Sequence, residues 1–171
     1  MLNAAVARGD DPAALAAPFD LVSIALSKGL GCPVGSVLAG SHEDIAALVR
    51  YRRMLGGAMR QSGVLAAAGV HALEHHVERL AEDHANARLI GERLHRCAGV
   101  ELDVEALETN IIVFHLRDGA PDAATVVARA AERDVQVLAF GPRTVRAVTH
   151  LDVSRGDCER AAEVLAEAVA G

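Results

Sequence analysis

The stretch DLVSIALSKGLGCPVGSVLAG, residues 20–40, decides how the first half of this chain folds. It begins with Asp20–Ser27, an apolar and partly β-branched run that predicts a buried β-strand. The glycine-rich segment Lys28–Pro33 predicts a turn, because glycine and proline interrupt regular structure. A second short strand is expected over Val34–Ala39. The pattern therefore places Lys28 between two strands, directly after the first.

The next segment is predicted to be helical. Ser41, with Asp44 three residues later, predicts the start of a helix that runs to about Leu55. A second helix, near Ala58–Ala68, is rich in small apolar residues and is expected to be buried. A long amphipathic helix is expected over His71–Cys97, because apolar residues recur there in steps of three and four.

From Val100 onward the pattern changes to the alternation that is typical of strands. We expect four strands, over Val100–Val104, Thr109–Leu116, Val135–Phe140 and Val145–His150, and helices over Pro121–Arg133 and from a cap at Ser154 to Ala170. This order predicts a βαβ-containing α+β unit. The long helix is expected to join two domains, residues 1–80 and residues 81–171.

The composition excludes several classes of protein. Apolar residues make up 51% of the 171 residues, which excludes global disorder. Aromatic residues are only 2%, and the net charge is −6, so neither base stacking nor binding to a phosphate backbone is expected. No apolar run approaches the roughly 20 residues of a membrane span. We therefore expect no nucleic-acid and no membrane partner.

The cysteines and histidines indicate no metal site. Cys32, Cys97 and Cys158 are widely spaced and form neither a zinc pattern nor a disulfide framework. His71 and His75 are four residues apart, but no carboxylate stands in place as a third ligand. Because no signal peptide is predicted, the expected compartment is the reducing cytoplasm.

Lys28 is the residue most suggestive of chemistry. Of the 17 basic residues it is the only lysine, and a coding bias that replaces lysine by arginine would spare a lysine that arginine cannot replace. A desolvated lysine has a lowered pKa, and the neutral amine attacks carbonyl groups. The alternative is a surface lysine in a loop, and the spacing alone leaves both open.

The segment Ser27–Ser36 (SKGLGCPVGS) resembles the cofactor-lysine segment of the threonine aldolases, fold-type-I enzymes that use pyridoxal 5'-phosphate (PLP). Five further blocks resemble signatures of that family: Leu2–Ala7, Arg53–Gln61, Leu80–Ala87, Thr109–Ile111 and Val145–Ser154. The blocks follow the family's order and cover essentially the whole chain.

The resemblance implies a role for three residues. Lys28 matches the lysine that carries PLP covalently, and is the expected catalytic residue. Arg60 matches an arginine that reaches the PLP phosphate from a neighbouring subunit, which implies a homo-oligomer, a dimer or tetramer. Arg146 matches an arginine that grips the substrate carboxylate. His84 and His150 lie in matched blocks, and we expect structural roles for both.

The resemblance also implies a fold and a reaction. The fold is α/β, PLP-dependent transferase-like (fold type I), with residues 1–80 as the C-terminal part of the large, mostly parallel-sheet domain and residues 81–171 as the small C-terminal α+β domain. The reaction is retro-aldol cleavage of β-hydroxy-α-amino acids, threonine to glycine plus acetaldehyde, in amino-acid metabolism. Two alternatives stay open: another fold-type-I PLP lyase or aminotransferase, and a non-catalytic remnant.

The sequence departs from the family at its start. Family members carry, before the lysine, a phosphate-binding loop, a histidine stacked on the pyridine ring, and an aspartate that pairs with the ring nitrogen. The acids before Lys28 are Asp10, Asp11 and Asp20, and none follows the family's Asp-Gly-Ala-Arg pattern. We therefore expect the chain to be an incomplete fragment that does not turn over substrate by itself.

Overall fold

The computed structural model describes residues 1–171, and the chain divides into two compact units. Unit 1 is Met1–Leu80 and unit 2 is Ala81–Gly171. Neither unit contains a helix that is long and apolar enough to cross a bilayer.

Unit 1 combines four helices with a two-stranded hairpin. Its elements are α1 (Leu2–Arg8), α2 (Pro12–Ala16), β1 (Leu21–Ala25), β2 (Ser36–Gly40), α3 (His42–Met54) and α4 (Gly63–His75). The two strands pair antiparallel, with Leu21 opposite Gly40 and Ala25 opposite Ser36. The expectation of a mostly parallel sheet is therefore wrong for this pair. A parallel return needs a crossover of about a dozen residues or more, and the segment 26–35 is shorter than that.

Both strands were expected and both are present, but they are not buried. Every residue of β2 is exposed, and β1 has no fully buried position. The buried apolar cluster of unit 1 lies beyond the strands, and its members are Leu26, Leu30, Cys32 and Ala72. The apolar character of residues 20–40 predicts the strands correctly, but the burial of strands depends on elements that cover them.

Two helix predictions in unit 1 are corrected. The helix expected over Ala58–Ala68 begins only at Gly63, because Gln61 has a positive φ of 54°, a conformation outside the α-helix. It is also mainly exposed, with only Gly69 and Ala72 buried.

The long helix expected over His71–Cys97 is interrupted. Helix α4 ends at His75, and α5 (Leu80–His95) begins after a turn. The imidazole Nδ1 of His76 lies 2.7 Å from the carbonyl oxygen of Leu30, so the turn is tied to the segment that follows β1. The apolar spacing of Leu73, Val77 and Leu80 continues across the break, and periodicity alone therefore does not detect it.

Unit 2 is a four-stranded antiparallel sheet with helices. After α5 its elements are β3 (Val100–Glu101), β4 (Ile111–Leu116), α6 (Ala123–Ala131), β5 (Leu138–Gly141), β6 (Thr144–Val148) and α7 (Arg155–Ala170). The strand order is β3-β4-β6-β5. Strands β4 and β5 both run antiparallel to β6, so they are parallel to each other and are joined by α6. The expected βαβ-containing unit is confirmed in this split form.

One face of this sheet forms the core and the other stays open. In β4 the side chains of Ile112, Phe114 and Leu116 are buried, and the alternate positions are exposed. Helices α6 and α7 contribute Val126 and Leu165 to the same core. The opposite face carries exposed apolar residues: Ile111, Val113, Leu138, Phe140 and Val148.

Candidate active site

Lys28 lies on a turn whose backbone is fixed on both sides. Its neighbours Leu26 and Leu30 are 7% and 3% exposed, whereas Lys28 itself is exposed. The Leu26 N–H donates to the Gly35 carbonyl oxygen at 2.9 Å, and the Cys32 N–H donates to the Leu26 carbonyl oxygen at 3.0 Å. The turn therefore presents the only primary side-chain amine of these 171 residues on an anchored backbone.

Two glycines of this turn, Gly29 and Gly31, each meet a steric requirement. Gly31 has a φ of 69°, the left-handed conformation that glycine adopts without a steric penalty, and its N–H donates to the Lys28 carbonyl oxygen at 2.8 Å. A Cβ at Gly29 would lie 3.1 Å from Leu80 Cδ2 and 3.5 Å from Asn3 Nδ2. The glycines on either side of Leu30 thus serve a reversal of the chain and a close contact.

Arg60 also belongs to unit 1 and lies in the exposed loop between α3 and α4. Because α4 begins at Gly63, Arg60 precedes the helix rather than opening it. No hydrogen bond or ion pair joins the side chains of Arg60 and Lys28, and both are exposed. The surrounding loop exposes Leu55 and Met59 as well.

Arg146 lies in the middle of β6, in unit 2. Its Cα is paired with that of Val113 on β4 and with that of Leu138 on β5. The adjacent Val145 and Ala147 point into the core, so the alternation of the strand puts Arg146 on the open face. Its Cζ lies 6.0 Å from the centroid of the Phe140 ring.

Arg146 differs from most other arginines of unit 2, because eight of the other nine have partners within the chain and the ninth, Arg96, is exposed. Four of those pair with carboxylates, namely Arg88, Arg93, Arg133 and Arg155. Four others donate to backbone carbonyl oxygens, namely Arg117, Arg129, Arg143 and Arg160. Arg146 is half-buried and forms no hydrogen bond or ion pair within the chain. Its N–H donors are therefore available to an anion on an apolar surface.

The histidines take varied places. His84 is half-buried on α5, and burial lowers its pKa, although the nearby Asp83 acts in the opposite direction. His150 is exposed, with Nδ1 3.4 Å from an Asp152 carboxylate oxygen. The structural roles expected for both stay predictions. The rings of His71 and His75 lie 4.5 Å apart, and no group of three potential ligands is placed to hold a metal ion.

A buried polar network joins the ends of β4 and β6 to α5, and sequence reasoning gave it no role. The Thr149 hydroxyl donates to the Asp83 carbonyl oxygen at 2.6 Å. Asn110 Nδ2 donates to the Thr149 carbonyl oxygen at 2.8 Å. Asn110 and Thr149 both belong to the blocks that carry the family resemblance, but no spacing rule connects two residues so far apart in the chain.

The sequence profile of the beta-eliminating lyase family matches residues 1–117. The chain is 46% identical over 166 residues to "Low specificity L-threonine aldolase" of Escherichia coli O157:H7, covering 97% of this chain and 47% of that protein. It is 37% identical over 158 residues to "Low-specificity L-threonine aldolase 1" of Arabidopsis thaliana, covering 92% of this chain and 44% of that protein. The chain thus spans about half the length of the curated relatives it matches.

A solved structure supports the same grouping at the level of the fold. The threonine aldolase of Leishmania major superimposes with a TM-score of 0.73 at 21% identity, over 98% of this chain and 49% of that one. The expected fold-type-I α/β class is therefore confirmed, as is the resemblance to the threonine aldolases. With a family profile that covers more than half of its residues, the chain belongs to the beta-eliminating lyase family.

Proposed function

We propose that this chain is the lysine-bearing part of a PLP-dependent threonine aldolase, a carbon–carbon lyase that cleaves β-hydroxy-α-amino acids such as threonine into glycine and an aldehyde, acetaldehyde for threonine. The observation that carries the proposal is the anchored turn that presents Lys28, the only lysine of the chain. The 46% identity to the Escherichia coli threonine aldolase supports the choice of reaction.

The chemistry of three side chains fits the cofactor and the substrate. A primary amine is the group that binds an aldehyde covalently, and Lys28 would hold PLP in this way. Guanidinium groups match phosphate and carboxylate oxygens in paired hydrogen bonds, so Arg60 would hold the phosphate and Arg146 the substrate carboxylate. When bound, PLP supplies an electron sink for the pair released as the Cα–Cβ bond breaks.

The residues of the chain perform three tasks in this scheme. Lys28 would hold the cofactor, and its Nζ, when not bonded to it, could accept and return a proton. Arg146 fixes the carboxylate, and this orients the Cα–Cβ bond for cleavage. The apolar neighbours of Arg146, Val113 and Phe140, keep part of the surrounding water away and strengthen its attraction for an anion. The base that takes the β-hydroxyl proton is not assigned to a residue of this chain.

The proposal extends to domains, assembly and location. The division at Leu80 supports unit 1 as part of the large cofactor domain and unit 2 as the small domain. We propose a homo-oligomer, a tetramer, in which Arg60 would reach the PLP phosphate of a neighbouring subunit. The exposure of the loop around Arg60 supports this. A cytoplasmic location agrees with three free cysteines.

The proposal is tested in a chimera that joins this chain to the part of the Escherichia coli relative that it does not match. We expect the chimera to release glycine and acetaldehyde from threonine, and the isolated chain not to. Lys28→Arg keeps the positive charge but removes the primary amine, so glycine release should disappear.

Arg146→Leu should raise the KM for threonine by about tenfold or more, because a charge-assisted pair with the substrate carboxylate is lost. The matched control is Arg96→Leu, which removes an exposed arginine of the same unit.

Three results would contradict the proposal. Turnover by the Lys28→Arg chimera would remove Lys28 from the reaction. Transfer of the amino group to a 2-oxo acid without glycine release would identify an aminotransferase. Glycine release by the isolated chain at an ordinary enzymatic rate would show that this chain needs no further part.

A further inference from the structure

Asn110 and Thr149 form a reciprocal clamp at one end of the β4–β6 ladder. The last paired residues of that ladder are Ile111 and Val148, and the clamp residues stand directly beyond them. The Thr149 N–H donates to the Asn110 carbonyl oxygen at 3.1 Å, and Asn110 Nδ2 donates to the Thr149 carbonyl oxygen at 2.8 Å. The pair therefore extends the ladder by one backbone and one side-chain hydrogen bond.

The clamp is also attached to the adjacent helix. The Thr149 hydroxyl donates to the carbonyl oxygen of Asp83 in α5 at 2.6 Å, which ties the end of β6 to the first turn of that helix. The three residues are buried, with exposures of 7% for Asn110, 2% for Thr149 and 0% for Asp83. A buried polar group without a hydrogen-bond partner costs about 1–3 kcal/mol of folding free energy. Burial of these polar groups is therefore unfavourable unless their hydrogen bonds stay intact.

The attached strand carries Arg146, three residues before Thr149. Apolar burial of Val145 and Ala147 already holds β6 on the core, so packing does not require a polar anchor at its end. A hydrogen bond differs from apolar packing because it fixes direction as well as contact. The anchor therefore restrains how β6 is set against α5, and with it the placement of the Arg146 side chain on the open face.

We propose that Asn110 and Thr149 are positioning residues for Arg146, through a clamp that fixes the end of β6 to α5. The inference rests on the proposed function of Arg146 as the carboxylate anchor. The clamp restricts the motion of the Arg146 guanidinium before an anion binds. Less conformational entropy is then lost on binding.

The test uses the 171-residue chain and two NMR measurements on the Arg146 Nε–H group. Relaxation gives its order parameter, and titration with acetate, a simple carboxylate, gives an affinity. Thr149→Val keeps the shape of the side chain but loses the hydroxyl. We expect it to lower the order parameter and to weaken acetate binding by about fivefold. Thr149→Ser keeps the hydroxyl and should restore both. Thr125→Val on α6 is the matched control and should change neither.

The outcomes separate this inference from the proposed function. If acetate leaves the Arg146 signal of the wild-type chain unchanged, the carboxylate role fails, while the order parameters still decide on the clamp. If Thr149→Val lowers only the unfolding free energy and leaves both Arg146 measurements unchanged, the clamp is purely structural and the inference is overturned. Should Thr149→Val not fold, Asn110→Ala is measured in the same way, and failure of both to fold also overturns it.

Discussion

Among single residues, Lys28 and Arg146 differ in how much of their chemistry can be predicted from the sequence. The uniqueness of Lys28 is visible in the sequence, and its exposure between two buried leucines explains how the protein presents it. The availability of Arg146 is not visible in the sequence, because it depends on which arginines of unit 2 find a partner in the folded chain. Eight arginines of unit 2 are held by carboxylates or carbonyl oxygens of the chain. The residue type thus predicts which groups an arginine can bind. The contacts in the folded chain decide which arginines are available to bind a ligand.

We expect His84 to make the stability of the chain depend on pH. Burial lowers its pKa below the ordinary value of 6.5, and the nearby Asp83 opposes this only in part. Protonation therefore favours the unfolded chain, so the unfolding free energy falls as the pH drops through 6.5 towards the lower folded value. We expect His84→Gln to reduce this fall in urea titrations between about pH 8 and pH 5.

The exposed His150 provides the comparison for this experiment. His150→Gln removes an imidazole from an exposed position instead of a half-buried one. It should leave the acid-side loss of stability in place. An equal acid-side loss of stability in the His84→Gln protein and the wild type would show that protonation of His84 does not cause that loss.

At the scale of the elements, helix starts were predictable where a side chain caps the backbone. Ser41 and Ser154 accept hydrogen bonds from the N–H groups of Asp44 and Asp157, and both helices begin where the sequence indicates. Helix α4 was misplaced because Ser62 makes no such bond and the helix boundary is set by the left-handed backbone of Gln61. The sequence does not predict this conformation, because a positive φ is uncommon for residues other than glycine.

Helix α7 offers a direct measure of one cap. The Ser154 hydroxyl accepts from the Asp157 N–H, and the Asp157 carboxylate accepts from the Ser154 N–H. Ser154→Ala should lower the unfolding free energy by about 1 kcal/mol, as expected for the loss of an N-cap. Ser62→Ala is the matched control, because the Ser62 side chain caps nothing, and it should cost clearly less. Equal losses in urea denaturation would refute this role of the capping box.

The candidate site could be predicted only in part, because some of its contacts depend on how the strands pair. Asn110 and Thr149 come together through strand pairing, although they are 39 residues apart in the chain. Local patterns describe contacts within an element or a turn, whereas this clamp needs the register of β4 against β6. The same limit explains why the strands of residues 20–40 were found but their antiparallel pairing was not.

At the scale of the whole molecule, the two units differ in how much core they have. The buried cluster of unit 1 consists of four residues, whereas the core of unit 2 extends over its sheet and helices. Exposed apolar residues such as Val37 and Leu38 leave β2 without cover. We expect hydrogen exchange of the 171-residue chain to be fast across residues 20–40 and slow across residues 100–170. Equally slow exchange in both regions would contradict this difference in stability.

Whether Lys28 holds the cofactor is decided by locating the residue to which PLP is attached. The chimera with the unmatched part of the Escherichia coli relative is loaded with PLP, reduced with borohydride to make the linkage permanent, digested, and analysed by mass spectrometry. We expect a pyridoxyl group on the peptide that contains Lys28, and no labelled peptide from the Lys28→Arg chimera. A pyridoxyl group that is found instead on a lysine of the Escherichia coli part would contradict this expectation.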